Sequence, residues 1–493
     1  MASSFRARIS AALDARRASR FNGGDVAAGA ITFVWFLIAF VKRDPIYDVS
    51  AVVASTVVVG CALAFFRWEP PPGQEPMRLL GFFVFGQTFF ASGLGVLTEV
   101  TPNPLFAVPT TEAFSFSVIS STVFAGAFVG GAWLTAPRKA PPELPGEAGP
   151  TPAVALGLAV AATLVNVQFV LTTSVTNVSR LGILPLILLN LTMLASMLVT
   201  SALTTRNAMR LPLAILVAGQ ALATFYTSML MVVTFILRDI ILTYVYLRKR
   251  LPYGMIAAMF LIILFLNPVK MTFRNNRVDL RGDSELTSST AFDFWAEGIE
   301  STWGGGNRGS RGTDAAIETT SNRINYNWFS AHVYSTVPSR YPFMEGRTYE
   351  DIPMMLVPRI LYPDKPLSAT STRSRWLIML GIQSERSAET TAVSLPTPAE
   401  SYWNFGWAGV VGVPALLGML VGGLLRFVPR DRVARAGYVM VVVIYMGVFV
   451  DMMVWILPNI VIVAITGVLA SLYSRIGRVR QTTPLKRVAV ADR

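Results

Sequence analysis

"VSAVVASTVVVGCALAFFR", residues 49 to 67, decides the fold class. Its first 18 residues carry no charge and no proline, and an arginine closes the run. About 20 such residues cross the hydrocarbon core of a bilayer as a helix. Working outward, comparable runs lie at about 26 to 41, 79 to 97, 114 to 134, 153 to 171 and 181 to 203. Arg67 and Arg78, Arg138 and Lys139, then Arg206 and Arg210 follow every second run. Lys and Arg are retained in the cytoplasm, which orients those ends. Residues 211 to 247 contain Arg238 and Asp239 and stop before "RKR" at 248 to 250, so parity asks for two crossings, one of them short, tilted or broken. Leu251 to Asn267 then leads outward, about 401 to 425 returns, and a tight pair at 436 to 453 and 455 to 473 ends the series.

The expected fold is therefore all-α, a polytopic transmembrane helical bundle of about twelve spans with one large external loop domain. A basic arm (1–25) precedes about nine spans (26–268). The external domain (269–400), three more spans (401–473) and a basic tail (474–493) complete the chain, with both termini cytoplasmic. Composition agrees: 53% of the residues are hydrophobic, 14% are charged, and the mean hydropathy is +0.51. The net charge of +13 does not point to nucleic acid, because residues 269–400 hold 14 basic and 15 acidic residues and the excess sits in the short connections. With a single cysteine, Cys61, and a single histidine, His332, the chain offers no disulfide, no thiolate or histidine-pair metal site, and no cofactor motif.

Within the insert, Ala291 to Glu300 reads as a short helix. From Asp314 onward, helical spacing places Arg323, Asn327 and Tyr334 on a polar face and Ile324 and Trp328 on another. Thr348 and Asp351 have the spacing of a capping box. Ser374 to Leu380 reads as an amphipathic piece able to rest on the bilayer surface. "PRKAPPELPGEAGPTP", 137 to 152, breaks any helix, and Gly126, Gly130 and Gly131 suit close helix packing.

Three places carry chemistry. In "VPRILYPDKP" (357–366), Arg359 and Lys365 stand among three prolines on a stiff backbone. Together with Arg323 they suit a diphosphate leaving group without a metal; the alternative is pairing with Glu350, Asp351 or Asp364. Arg238, between apolar runs, needs either a wet cavity or a partner such as Asp239. In "PAESYWNFGWAG" (398–409), Glu400 stands at the lip of the next span as a candidate general base, beside Tyr402 and Trp403 at headgroup level. His332 is a second base candidate, and its ordinary alternative is a packed histidine.

The first and third stretches are similar to elements of the bacterial oligosaccharide repeat-unit polymerases, the Wzy-type O-antigen and exopolysaccharide polymerases. The matching residues are Pro358, Arg359, Pro363, Lys365 and Pro366, then Glu400, Tyr402, Asn404, Phe405 and Gly406. "GRTYEDI" and the arginine of "LRD" also look like family features, although Leu237 stands where serine often precedes that arginine. The resemblance implies an integral glycosyltransferase of GT-C type in the bacterial inner membrane. It would move a growing glycan from one undecaprenyl pyrophosphate to the non-reducing end of a second undecaprenyl-pyrophosphate-linked oligosaccharide. The resemblance implies Arg359 and Glu400 as catalytic residues and Arg238, Lys365, Tyr402 and Asn404 as substrate-binding ones; the residue reading adds His332 as the alternative to Glu400 for taking the acceptor proton, and Arg323 as a further substrate-binding residue. Membrane lipids, a chain-length regulator and a flippase are the implied partners. Rival readings are an O-antigen ligase, a polyprenyl-phosphate-sugar transferase using Asp44 and Asp48, and a lipid-linked glycan flippase or transporter.

Overall fold

The computed structural model describes residues 23–43, 47–68, 75–93, 96, 111–135, 156–164, 184–204, 209–227, 230–279, 288–303, 327–350, 375–385, 395–429, 432–446, 463–464 and 467–468. Among the described residues there are helices and turns and no strand. The first helices are α1 (Gly23–Lys42), α2 (Val49–Arg67), α3 (Glu75–Ala91) and α4 (Thr111–Thr135). Helical turns at 156–164 precede α5 (Leu184–Thr204), α6 (Arg210–Thr227), α7 (Leu230–Arg248) and α8 (Tyr253–Asp279). The hydrophilic insert contributes α9 (Ser288–Trp303) and α10 (Asn327–Thr336), after which come α11 (Thr397–Leu424) and α12 (Arg432–Val441).

Among the described residues four helices are long and apolar enough to cross a membrane: Val49–Arg67, Thr111–Thr135, Tyr253–Lys270 and Thr397–Phe427. Shorter apolar helices cover Val26–Lys42, Thr192–Leu203 and Arg210–Leu222. The stretch 211 to 247 does divide into two helices, α6 and α7, and Arg238 lies midway along the second. The linker 137–152 and most of the last expected pair, 436 to 473, lie outside the described residues.

The best-packed pair is α4 with α11. A Cβ on Gly418 would come within 2.4 Å of the Phe124 carbonyl oxygen, one on Gly422 within 2.4 Å of that of Phe128, and one on Gly131 within 2.5 Å of that of Met419. Backbone therefore lies directly on backbone, as small residues permit between helices in lipid, where dispersion contacts take over from the hydrophobic effect. Of the three glycines expected to pack, Gly131 does so, while a Cβ on Gly126 or Gly130 would meet nothing within 4 Å. Ser120 adds a buried hydrogen bond to the Val410 carbonyl, at 3.0 Å. Around this pair, Phe128, Leu242, Val421, Tyr438 and Met440 form the main core, joining α4, α7, α11 and α12.

A second core lies under the insert. Phe329 and Val333 of α10 pack with Leu377, Leu380, Ala399, Tyr402 and Trp403. Two local expectations change here. Asn327 is fully buried and donates to the Ser92 carbonyl at 3.0 Å, so the expected polar face of this helix turns inward at that point. Leu377 and Leu380 are buried against α10 and the start of α11, so 375–379 packs on protein rather than lying free on a lipid surface. The reason is shared: a half-apolar segment buries its stripe against whichever apolar face is nearest, and here that face is protein. The helix read at 291–300 is present as α9, extended at both ends.

Candidate functional site

The site is built where α11 breaks. Its helix runs from Thr397 to Asn404, then Phe405 (φ −136°, ψ 15°) and Gly406 (φ 59°, ψ −147°) leave helical geometry before it resumes. The Gly406 backbone lies in a region open essentially to glycine alone. A break of this kind frees carbonyls that would otherwise bond along the helix. Those of Trp403 and Asn404 accept instead from the amides of Met344 and Glu345, each at 3.0 Å. The "MEGRTYE" turn, 344 to 350, is thereby docked onto the break.

Side chains complete the latch. The Gly346 amide donates to Asn404 Oδ1 at 2.9 Å. Asn404 Nδ2 donates to Thr348 Oγ1 at 2.6 Å and to the Glu400 carbonyl at 2.9 Å. Thr348 Oγ1 in turn donates to Glu400 Oε1 at 2.8 Å. Glu400, Asn404 and Thr348 are 2%, 1% and 4% exposed, so this chain of hydrogen bonds runs in a low-dielectric interior where each link is strong and costly to break. Glu345 (φ 51°) and Gly346 (φ 91°) both occupy left-handed backbone, which turns the chain sharply. Arg347 is exposed on that turn; its backbone amide donates to the Met344 carbonyl at 2.9 Å, and its guanidinium makes no hydrogen bond or ion pair among the described residues.

Glu400 is thus a buried carboxylate holding a turn, and does not form the open lip expected of it. Thr348, read as a helix cap, uses its hydroxyl on Glu400 instead. Tyr402 is also buried; its ring stacks on Phe116 at 4.5 Å and meets Tyr334, Phe343 and Trp407. His332 lies on α10 with Nε2 2.7 Å from the Leu380 carbonyl. Because a carbonyl can only accept, that nitrogen carries the hydrogen, and in the neutral ring the lone pair lies on Nδ1. Glu350 pairs with Arg375, whose guanidinium also covers the Trp376 ring at 4.4 Å.

Arg238 belongs to a separate cluster. It pairs with Asp239 at 3.2 Å and lies over the Phe235 ring at 4.2 Å, while Thr192 of α5 donates to the other oxygen of Asp239 at 2.7 Å. Arg323, Arg359 and Lys365 lie outside the described residues, as does Asp44. Asp48, the other acid of the sugar-transferase alternative, caps α2: it accepts from the Ala51 amide at 3.1 Å, from Ser50 at 2.6 Å and from Thr111 at 3.2 Å. Among the described residues no group of three or more His, Cys, Asp or Glu could hold a metal. The sequence reading missed Thr348 and Arg347 as members of the site. The signal for both was "GRTYE", whose partners lie about 50 residues further along the chain.

Fold and site together define an all-helical protein with helices of membrane-spanning length and composition, and with a polar insert latched to the start of α11. The chain belongs to the family described as Domain of unknown function (DUF8712), whose model matches residues 147–456. That match includes every element of the latch. No curated protein matches the chain, and no solved structure matches it either.

Proposed function

We propose that this chain is a membrane glycosyltransferase that polymerises undecaprenyl-pyrophosphate-linked oligosaccharide repeat units into O-antigen or exopolysaccharide. In this reading it sits in the bacterial inner membrane with about twelve crossings, both termini cytoplasmic and the insert external. The observation that carries the reading is the latch: "GRTYE" and "ESYWNFG", two of the elements on which the resemblance rests, interlock through Thr348, Glu400 and Asn404. A buried network of this kind holds the turn that carries the exposed Arg347, next in the chain to Gly346, where a Cβ would lie 3.3 Å from the exposed Phe405 ring. An exposed guanidinium on a held turn suits phosphate oxygens, and exposed aromatic rings suit the apolar faces of sugars and the headgroup zone.

Arg359, Lys365 and Arg323 join Arg347 in gripping the diphosphate as it leaves, which stabilises the charge that develops on it. Glu400 and Asn404 position the basic turn, and Tyr402 supports the aromatic floor beneath it. His332 is the proton acceptor for the incoming hydroxyl. Arg238 serves the lipid-linked substrate from its own cluster. A chain-length regulator and a flippase are the partners this activity calls for.

The test uses the purified full chain in proteoliposomes with its lipid-linked repeat unit and EDTA. A ladder of glycans resolved by gel electrophoresis is expected. Transfer of single repeats to lipid A core without extension would identify a ligase, and movement of the lipid-linked unit across the bilayer at unchanged length would identify a flippase.

A further inference from the structure

Between α1 and α2 lies a groove of about 470 Å³. It is lined on one side by Gly29, Thr32 and Phe36 and on the other by Thr56, Gly60 and Leu63, with Arg67 at one end. Helical spacing puts each set on one face of its helix. Two glycines hollow it out: a Cβ on Gly29 would meet nothing within 4 Å, and one on Gly60 would touch only the Thr32 methyl, at 3.6 Å. Away from Arg67 the hydroxyls that line the groove are already bonded. Thr32 donates to the Ala28 carbonyl at 2.9 Å and Thr56 to the Val52 carbonyl at 2.8 Å, so each hydroxyl is bonded within its own helix. Away from its Arg67 end the space is therefore apolar, and such a space takes hydrocarbon in preference to water.

Length and charge say which hydrocarbon. From Thr56 to Arg67 α2 rises roughly 16 Å, about half the ~30 Å hydrocarbon thickness, so the groove spans one leaflet. Arg67 is the one charged residue among those lining it, and Trp68, next along the chain, is the kind of ring that anchors at headgroup depth. Arg67 is also one of the basic residues whose placement marks the cytoplasmic side. We infer that this groove is a binding site for one anionic glycerophospholipid of the cytoplasmic leaflet, its acyl chain between α1 and α2 and its phosphate at Arg67. The inference requires α2 to cross a bilayer and is independent of the glycosyl-transfer reading.

The experiment is native mass spectrometry of the full chain in detergent, titrated with dioleoyl phosphatidylglycerol and dioleoyl phosphatidylethanolamine. One phosphatidylglycerol is expected to be retained in preference. Arg67→Gln should lower that preference about fivefold, the factor one basic side chain contributes near an anionic surface. Gly29→Leu should reduce retention of both lipids, because the new side chain fills the groove. Equal retention of the two lipids by the wild type, or unchanged binding in either variant, overturns the inference. If Arg67→Gln fails to insert, Gly29→Leu alone decides the matter, since the added atoms enter open space and leave the helix intact.

Discussion

Replacing Glu400 with glutamine removes a charge but keeps an oxygen that can accept from Thr348. Replacing it with alanine leaves the Thr348 hydroxyl without that acceptor in a buried setting. The first change exchanges a charge-assisted hydrogen bond for a neutral one and costs about 1 kcal/mol; the second leaves a polar group unsatisfied and costs about 1–3 kcal/mol. If Glu400 positions the "GRTYE" turn, Glu400→Gln should elongate glycan within about tenfold of wild type. Glu400→Ala should lose activity and also expose the turn to protease. A loss of roughly 10²–10⁴ in the glutamine variant with the turn still protected would be the signature of a general base and would reassign the residue. The role could not be read from sequence because it depends on Thr348, 52 residues away, and on the broken helix that brings the two together. Spacing reports on neighbours within one element and is silent about such partners.

At the scale of elements, four of the apolar runs are helices of spanning length among the described residues, and these were legible because about 20 uncharged residues have few alternatives to a spanning helix. Which faces of those helices meet was less so. "GAFVGG" offers three glycines, and only the close approach of α11 distinguishes Gly131 from Gly126 and Gly130. On α11 a Cβ at Gly422 would collide with backbone at Phe128, which cannot move aside as a flexible side chain can. Gly422→Leu should therefore destabilise the α4–α11 pair by about 3 kcal/mol or more, at the upper end of what overpacking costs. Gly126→Leu should be close to neutral. Thermal unfolding of the two variants in the same detergent compares them directly, and equal melting temperatures would refute the packing assignment. The start of α2 is pH-sensitive for a separate reason. The Ser50 hydroxyl, with the Ala51 amide and the Thr111 hydroxyl, holds the Asp48 carboxyl below its ordinary range against the opposing effect of burial. Because the folded value is depressed, this cap contributes stability above the unfolded value of about 3.9, and the contribution disappears as pH falls through the folded value. Asp48→Ala should lower stability by about 1 kcal/mol at neutral pH and by progressively less below pH ~3.9, as unfolding titrations at both pH values would register.

For the whole molecule, the proposed topology makes the sharpest prediction, because charge placement gives each loop an expected side. Arg250 follows α7 and is exposed, and the proposed topology has it in the cytoplasm. Ser339 follows α10 in the insert, is also exposed, and lies on the outer side in that proposed topology. The native chain holds one thiol, Cys61, partly buried within α2, so a Cys61→Ser background is silent to thiol reagents. In intact cells a membrane-impermeant maleimide should label Ser339→Cys and spare Arg250→Cys until the membrane is opened. Ser339 suits the purpose because cysteine is nearly isosteric with serine and its hydroxyl bonds only the Ser335 carbonyl of the same segment, so the substitution leaves the latch untouched. The reverse labelling pattern would place the insert in the cytoplasm, remove it from any lipid-linked glycan at the outer surface, and move the α1–α2 groove to the opposite leaflet. Labelling of both positions from outside would instead break the parity between α7 and α10, and with it the assignment of α8 as a single crossing.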